Sequence, residues 1–212
     1  MKNIAIAAGF VLVTGIGANA ADLIIDQPLM APVETAWVKS PFYVQLLGGA
    51  TLGNKISYYD FGSFDKDDSM EAGYAIDGAI GVTVWDSLSV EADLFHSRRL
   101  FEGEDKYGVA TTSFMGNLKY DFALNDTFGV YVGGGLGYIW AHEGGDYDSE
   151  WDYNGFGYQL MAGVTAKLSA NISAVAEYRY QATFGQLDDP ENHPYSIELG
   201  TSSVLAGLKI SF

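Results

Sequence analysis

Histidine is the side chain best placed for acid–base work near neutral pH, and each of the three here has a neighbour to weigh. His96 precedes Ser97, His142 precedes Glu143, and His193 lies two residues after Glu191. A serine nucleophile must sit within hydrogen-bond reach of its imidazole, but adjacent strand residues point to opposite faces. On a strand, His96 and Ser97 are therefore separated. No nucleophile is spaced to meet His142. Carboxylates at 146, 148, 150 and 152 could gather a hard cation such as Ca²⁺, but they lack the glycine and distal bidentate glutamate of an EF-hand loop. Cysteine is absent, which excludes disulfides and thiolate metal sites. No catalytic residue, cofactor or dedicated metal site is expected.

A second set of charges is more regular. Glu91, Asp93, Lys119, Asp121, Lys167, Glu177, Arg179 and Lys209 each interrupt an apolar run at alternate positions. Four acids against four bases can neutralise one another, and burial makes pairing close to compulsory because a lone buried charge costs several kcal/mol. Such a set needs strands that present one charged face and one apolar face.

The strands are legible. Counting back from the last residue, Phe212, Ile210, Leu208, Ala206 and Val204 alternate with Ser211, Lys209, Gly207, Leu205 and Ser203. From Pro41 the same alternation recurs as strand, short turn, strand, long acidic loop. The short turns are 86–87, 123–126 and 169–171, and the long connections 52–69, 100–107, 141–154 and 183–196. These seven connections separate eight strands. Their uncharged faces include Phe42, Val44 and Leu46; Ile76, Ile80 and Val84; Leu118, Tyr120 and Phe122; and Leu136, Tyr138 and Trp140. The charges, Asp77 among them, lie on the opposite faces. Phe42, Trp85, Phe122, Phe128 and Phe212 fall at the turn ends; Tyr74, Tyr138, Trp140, Phe156, Tyr158 and Tyr180 fall at the loop ends. A soluble sandwich would bury the apolar face. Two aromatic girdles flanking aliphatics instead fit two membrane interfaces. The fold expected is all-β, an eight-stranded antiparallel up-and-down transmembrane β-barrel.

Residues 1–20 read as a signal peptide: Lys2, an apolar run from Ile4 to Gly17, and the small-residue cleavage pattern Ala18-Asn19-Ala20. At about 14 residues that run is short of the roughly 20 needed for a spanning helix. Residues 21–40 read as a periplasmic extension and 41–212 as the barrel. Mean hydropathy of +0.06 suits a chain in which only alternate residues meet lipid. The formal charge of −16 repels nucleic acid.

Phe42-Tyr-Val-Gln45, Gly129-Val-Tyr-Val-Gly-Gly-Gly-Leu-Gly-Tyr138, Leu160-Met-Ala-Gly-Val164, Ala176-Glu-Tyr-Arg-Tyr180 and the terminal strand resemble the small eight-stranded outer-membrane barrels of the OmpA transmembrane-domain type, particularly the porin-like surface antigens. The resemblance implies location in the outer membrane of a Gram-negative bacterium, assembly by the barrel assembly machinery with Phe212 as signal, and lipopolysaccharide as a partner. It does not extend to the peptidoglycan-binding domain of OmpA. Asp146-x-Asp148 with Glu191-x-His193 is similar to the paired motifs of omptin-type proteases, but those barrels have ten strands and an Asp where Glu191 stands. The expected role is structural: envelope integrity, lipopolysaccharide contact and display of acidic loops that attract divalent cations. A narrow or gated channel for small solutes is the alternative, and a barrel-embedded hydrolase the third.

Overall fold

The computed structural model describes residues 41–52, 55–61, 63–144, 151–188 and 195–212. The leader, the extension to residue 40, the acids at 146, 148 and 150, and Glu191 and His193 lie outside them. In chain order the strands are β1 (Phe42–Thr51), β2 (Lys55–Asp60), β3 (Ser63–Ser69), β4 (Gly73–Trp85), β5 (Leu88–Leu100), β6 (Gly108–Ala123), β7 (Phe128–Gly144), β8 (Trp151–Lys167), β9 (Ile172–Thr183), β10 (Leu187–Asp188) and β11 (Tyr195–Ser211). Eight of them, β1, β4 to β9 and β11, form an antiparallel barrel. The seam closes where β11 pairs with β1, from Tyr43 opposite Ser211 to Thr51 opposite Ser203.

Side-chain parity is uniform around the barrel. Even-numbered residues face out and odd-numbered residues face in on all eight strands, as in the exposed Leu46, Ile80, Leu94, Leu118, Leu136, Leu160, Tyr178 and Val204. The short turns hold their register locally. Asn125 Oδ1 accepts from the backbone of Thr127 at 2.9 Å and Phe128 at 2.8 Å, and Ser169 Oγ accepts from Ile172 at 3.1 Å. Such side-chain capping is why Asn and Ser favour tight turns.

The opposite rim departs from expectation. Crossing a bilayer takes about 9–11 strand residues, yet β7, β8 and β11 each have 17. The stretch 52–69, expected to be loop, carries the β2–β3 hairpin, which lies alongside the outer part of β11. Within 141–154, β7 continues to Gly144 and β8 begins at Trp151; within 183–196, β10 bridges β8 and β11. The reason is a reversal of the apolar face. Beyond the outward band, Val109, Ile139, Ala141, Tyr153, Ile197 and Leu199 turn inward and pack with Ile56, Met70, Phe101 and Leu187, while Arg98, His142 and Asp152 face out. This upper storey is built like a soluble barrel. Its inward-apolar alternation is out of phase with the lower storey and broken by acids.

Candidate functional site

The lower lumen is filled by one connected web to which all eight barrel strands contribute. Its centre is Arg179 on β9, fully buried. Nε donates to Glu177 Oε1 at 2.8 Å and Nη1 to Asp77 Oδ1 at 2.7 Å. Nη1 also lies 3.1 Å from Asp93 Oδ2. β5 and β9 stand opposite one another in the barrel order, so the Arg179–Asp93 contact crosses the lumen. The guanidinium face lies 5.2 Å from the Phe95 ring.

One guanidinium faces three carboxylates; neutral donors add to it, while Asp77 Oδ2 and Asp93 Oδ1 lack a hydrogen-bond partner among the described residues. Asp93 Oδ2 accepts from Asn117 Nδ2 at 2.8 Å and from Gln159 Nε2 at 2.7 Å. Gln181 extends the web upward, donating to Ser113 at 2.8 Å and to Gln159 at 3.2 Å. A second ion pair adjoins the first: Lys119 Nζ lies 3.2 Å from Glu91 Oε2 and 3.4 Å from Gln45 Oε1, with the Tyr131 ring 4.4 Å away. Tyr43 donates to Glu91 at 3.1 Å and Tyr131 to Glu177 at 2.6 Å. Both tyrosines lie over a glycine on the neighbouring strand. A Cβ at Gly81 would run into the Tyr43 ring, and one at Gly163 into the Tyr131 ring. From β11, Lys209 Nζ sits 3.9 Å from the centre of the Tyr43 ring.

Of the eight charges singled out in the sequence, the structure brings Glu91, Asp93, Lys119, Glu177 and Arg179 into the web, with Lys209 at its edge. Asp121 is half-buried and Lys167 exposed at the turn-end rim, and the web does not include them. Both stand at the rim, where water can take the place of a partner. Sequence reasoning overlooked Asp77 as a member, together with Gln45, Asn117, Gln159, Tyr43 and Tyr131. All are odd-numbered, so the parity that placed the charges would have found them.

Arg99 was also overlooked. It is buried above the web, and its Nη1 donates to the Gly200 carbonyl at 3.4 Å. Its Nε and Nη2 lack a protein partner among the described residues, as do the hydroxyls of Ser97, Thr111 and Ser203. Higher still, the apolar cluster is tied down by Glu143, whose two oxygens accept from Tyr107 at 3.0 Å and Tyr58 at 3.1 Å. Burial raises the Glu143 carboxyl above its ordinary range, and the two tyrosine hydroxyls partly oppose that shift.

Among the described residues, neither His96 nor His142 meets the neighbour it was weighed with in the sequence. His96 Nδ1 pairs with Thr112 Oγ1 at 2.9 Å on the outer face, while Ser97 is buried inside. His142 Nδ1 pairs with Asp152 Oδ1 at 2.7 Å on the exterior.

This geometry can be set beside known proteins. Among solved structures, Neisserial surface protein A is 20% identical, the alignment covering 82% of this chain and 98% of that one at a TM-score of 0.57. OprG from Pseudomonas aeruginosa is 13% identical, with 82% and 97% covered and a TM-score of 0.61. These likenesses concern the fold. No curated protein sequence matches the chain. Residues 8–202 do match the profile of a family whose members share the closed antiparallel wall described above, and by that match the chain belongs to the outer membrane protein beta-barrel domain family.

Proposed function

We propose that the protein is a closed, non-enzymatic surface barrel of the outer membrane, which contributes to envelope integrity and contacts lipopolysaccharide. The observation that carries this reading is the lumen web: a guanidinium held by carboxylates from β4, β5 and β9 occupies the space a solute would need. Eight-stranded barrels have interiors just wide enough for side chains to fill. The apolar cluster above the web closes the same path a second time.

In barrels of this class the short turns face the periplasm and the long connections face outside. That orientation sets the upper storey and its acidic residues beyond the outer leaflet. Divalent cations drawn to Asp67, Asp68, Glu102 and Glu104 would bridge to anionic glycolipid. The placements of His96, Ser97 and His142 support a role without hydrolysis.

Planar-bilayer recording of the refolded barrel tests the closed lumen. No stable conductance is expected. A large steady conductance, unchanged by Arg179→Ala, would replace the structural role with that of a channel for small solutes.

A further inference from the structure

The outer wall carries a basic pocket at the loop-end rim. We infer that it binds the phosphate of an outer-leaflet acylated glycolipid, whose acyl chain lies in a hollow lower on the same strand pair. This rests on the lipopolysaccharide contact proposed above and names the residues that would make it.

The pocket, of about 610 Å³, is lined by Tyr74, Arg98, Lys106 and His142, together with one carboxylate, Asp105. On a chain with 11 Lys and Arg against 27 acids, this gathering of basic groups runs against the overall charge. Tyr74, Arg98 and His142 occupy even, outward positions, so the pocket opens away from the lumen, on the outer face above the apolar band. Arg98 is exposed. Its Nη2 donates to the Lys106 carbonyl at 3.2 Å, and no carboxylate forms an ion pair with it among the described residues. That bond turns the guanidinium against the 101–107 loop and leaves other N–H donors for an anion. Guanidinium donors suit phosphate oxygens, which they bind in pairs. His142 Nδ1 pairs with Asp152 Oδ1, and its Nε2 adds a donor to the same anion when both ring nitrogens carry a proton.

Below the pocket, β7 and β8 carry an aromatic step. Tyr138 packs edge-on to Trp140 at 5.0 Å and to Phe156 at 5.2 Å. Rings of this kind mark the membrane interface. Farther down lies a second outer hollow of about 480 Å³, floored by Gly116 and Gly134 and walled by Leu118, Leu136, Leu160 and Phe184. A Cβ at Gly116 would come no nearer than 3.9 Å to the protein, and one at Gly134 no nearer than 3.5 Å. Packing therefore does not require glycine at either position, and their hydrogens leave a recess in a wall otherwise studded with leucine.

Depth connects the two. Ala110 and His142, at the pocket, form one register pair; Gly116 and Leu136, at the hollow, form another six residues along both strands. At ~3.4 Å per residue and a tilt of ~40°, that run descends about 15 Å. Half of a ~30 Å hydrocarbon core is the same distance. A phosphate at the rim and the end of its acyl chain in the recess would thus belong to one outer-leaflet molecule.

The test uses the full barrel in phosphatidylcholine nanodiscs with bisphosphorylated lipid A as probe, and native mass spectrometry as readout. The unmodified barrel should retain lipid A, retain dephosphorylated lipid A about tenfold less, and keep its lipid in excess inorganic phosphate. Arg98→Gln with His142→Gln should lose about tenfold in retention, with unheated gel mobility showing an intact barrel. Gly116→Leu with Gly134→Leu should weaken retention while preserving the preference for phosphate. Equal retention by the unmodified and Arg98→Gln/His142→Gln barrels overturns this site and leaves glycolipid contact standing elsewhere. Displacement by inorganic phosphate overturns the acyl component. No retention by the unmodified barrel overturns both the site and the lipopolysaccharide reading.

Discussion

Arg179 Nη1 and Asp77 Oδ1 meet at 2.7 Å across 102 residues of sequence, and neither side chain is exposed to solvent. Removing the cation strands Asp77, Asp93 and Glu177 together in the lumen. Arg179→Ala is expected to lower stability by about 3–5 kcal/mol, the usual cost of breaking a buried pair from one side. Urea titration read by unheated gel mobility measures it, and bilayer recording of the same variant should show new conductance as water enters. A loss under about 1 kcal/mol would mean that the web contributes little to holding the wall together.

Arg99 should respond in the opposite direction. Among the described residues its Nε and Nη2 are buried without a protein partner, so the charge costs desolvation that no carboxylate among them returns. Arg99→Met keeps most of the volume and removes the cation. A gain of about 1–3 kcal/mol is expected, read by the same titration. Destabilisation instead would show that the guanidinium has a partner beyond the described residues.

The closing seam depends on the last residue. Phe212 donates its backbone N–H to the Phe42 carbonyl at 3.1 Å, completing the β1–β11 ladder at the turn end. Deleting Phe212 should reduce the folded, heat-modifiable species severalfold while leaving export across the inner membrane unchanged. Normal yields of folded barrel would remove Phe212 as an assembly signal.

Glu143 makes the upper storey sensitive to pH. Its folded-state carboxyl is raised by burial, so the folded protein holds this proton more tightly than the unfolded chain. The cap is therefore most stable below the ordinary carboxylate range near 4.3 and loses stability as pH rises to the raised value. Above that value the effect is flat. Protease cutting within the 101–107 connection should increase across this window. Glu143→Gln retains hydrogen-bonding atoms for Tyr58 and Tyr107 and should abolish the increase. An unchanged pH profile in the variant would assign the effect to another group.

Alternation by itself determined most of the wall. A period of two requires no tertiary information, and lipid on one face demands an unbroken apolar set, so Leu46, Ile80, Leu118, Leu136 and Phe212 declared both strand and side. The same parity put Glu91, Asp93, Lys119, Glu177 and Arg179 inside. What alternation cannot carry is height and azimuth. Only the barrel's register and stagger decide that Arg179 reaches Asp77 and Asp93 across the lumen, whereas Lys167 and Asp121 end at the rim. The upper storey was illegible for a related reason. There water replaces lipid outside the wall, so Ile139, Tyr153 and Ile197 turn inward and Arg98, His142 and Asp152 turn outward; two opposite codes on one strand cancel into what reads as loop. The basic pocket is likewise a product of folding, since Tyr74, Arg98, Lys106 and His142 come from four separate stretches that become neighbours only when β4 to β7 are laid side by side.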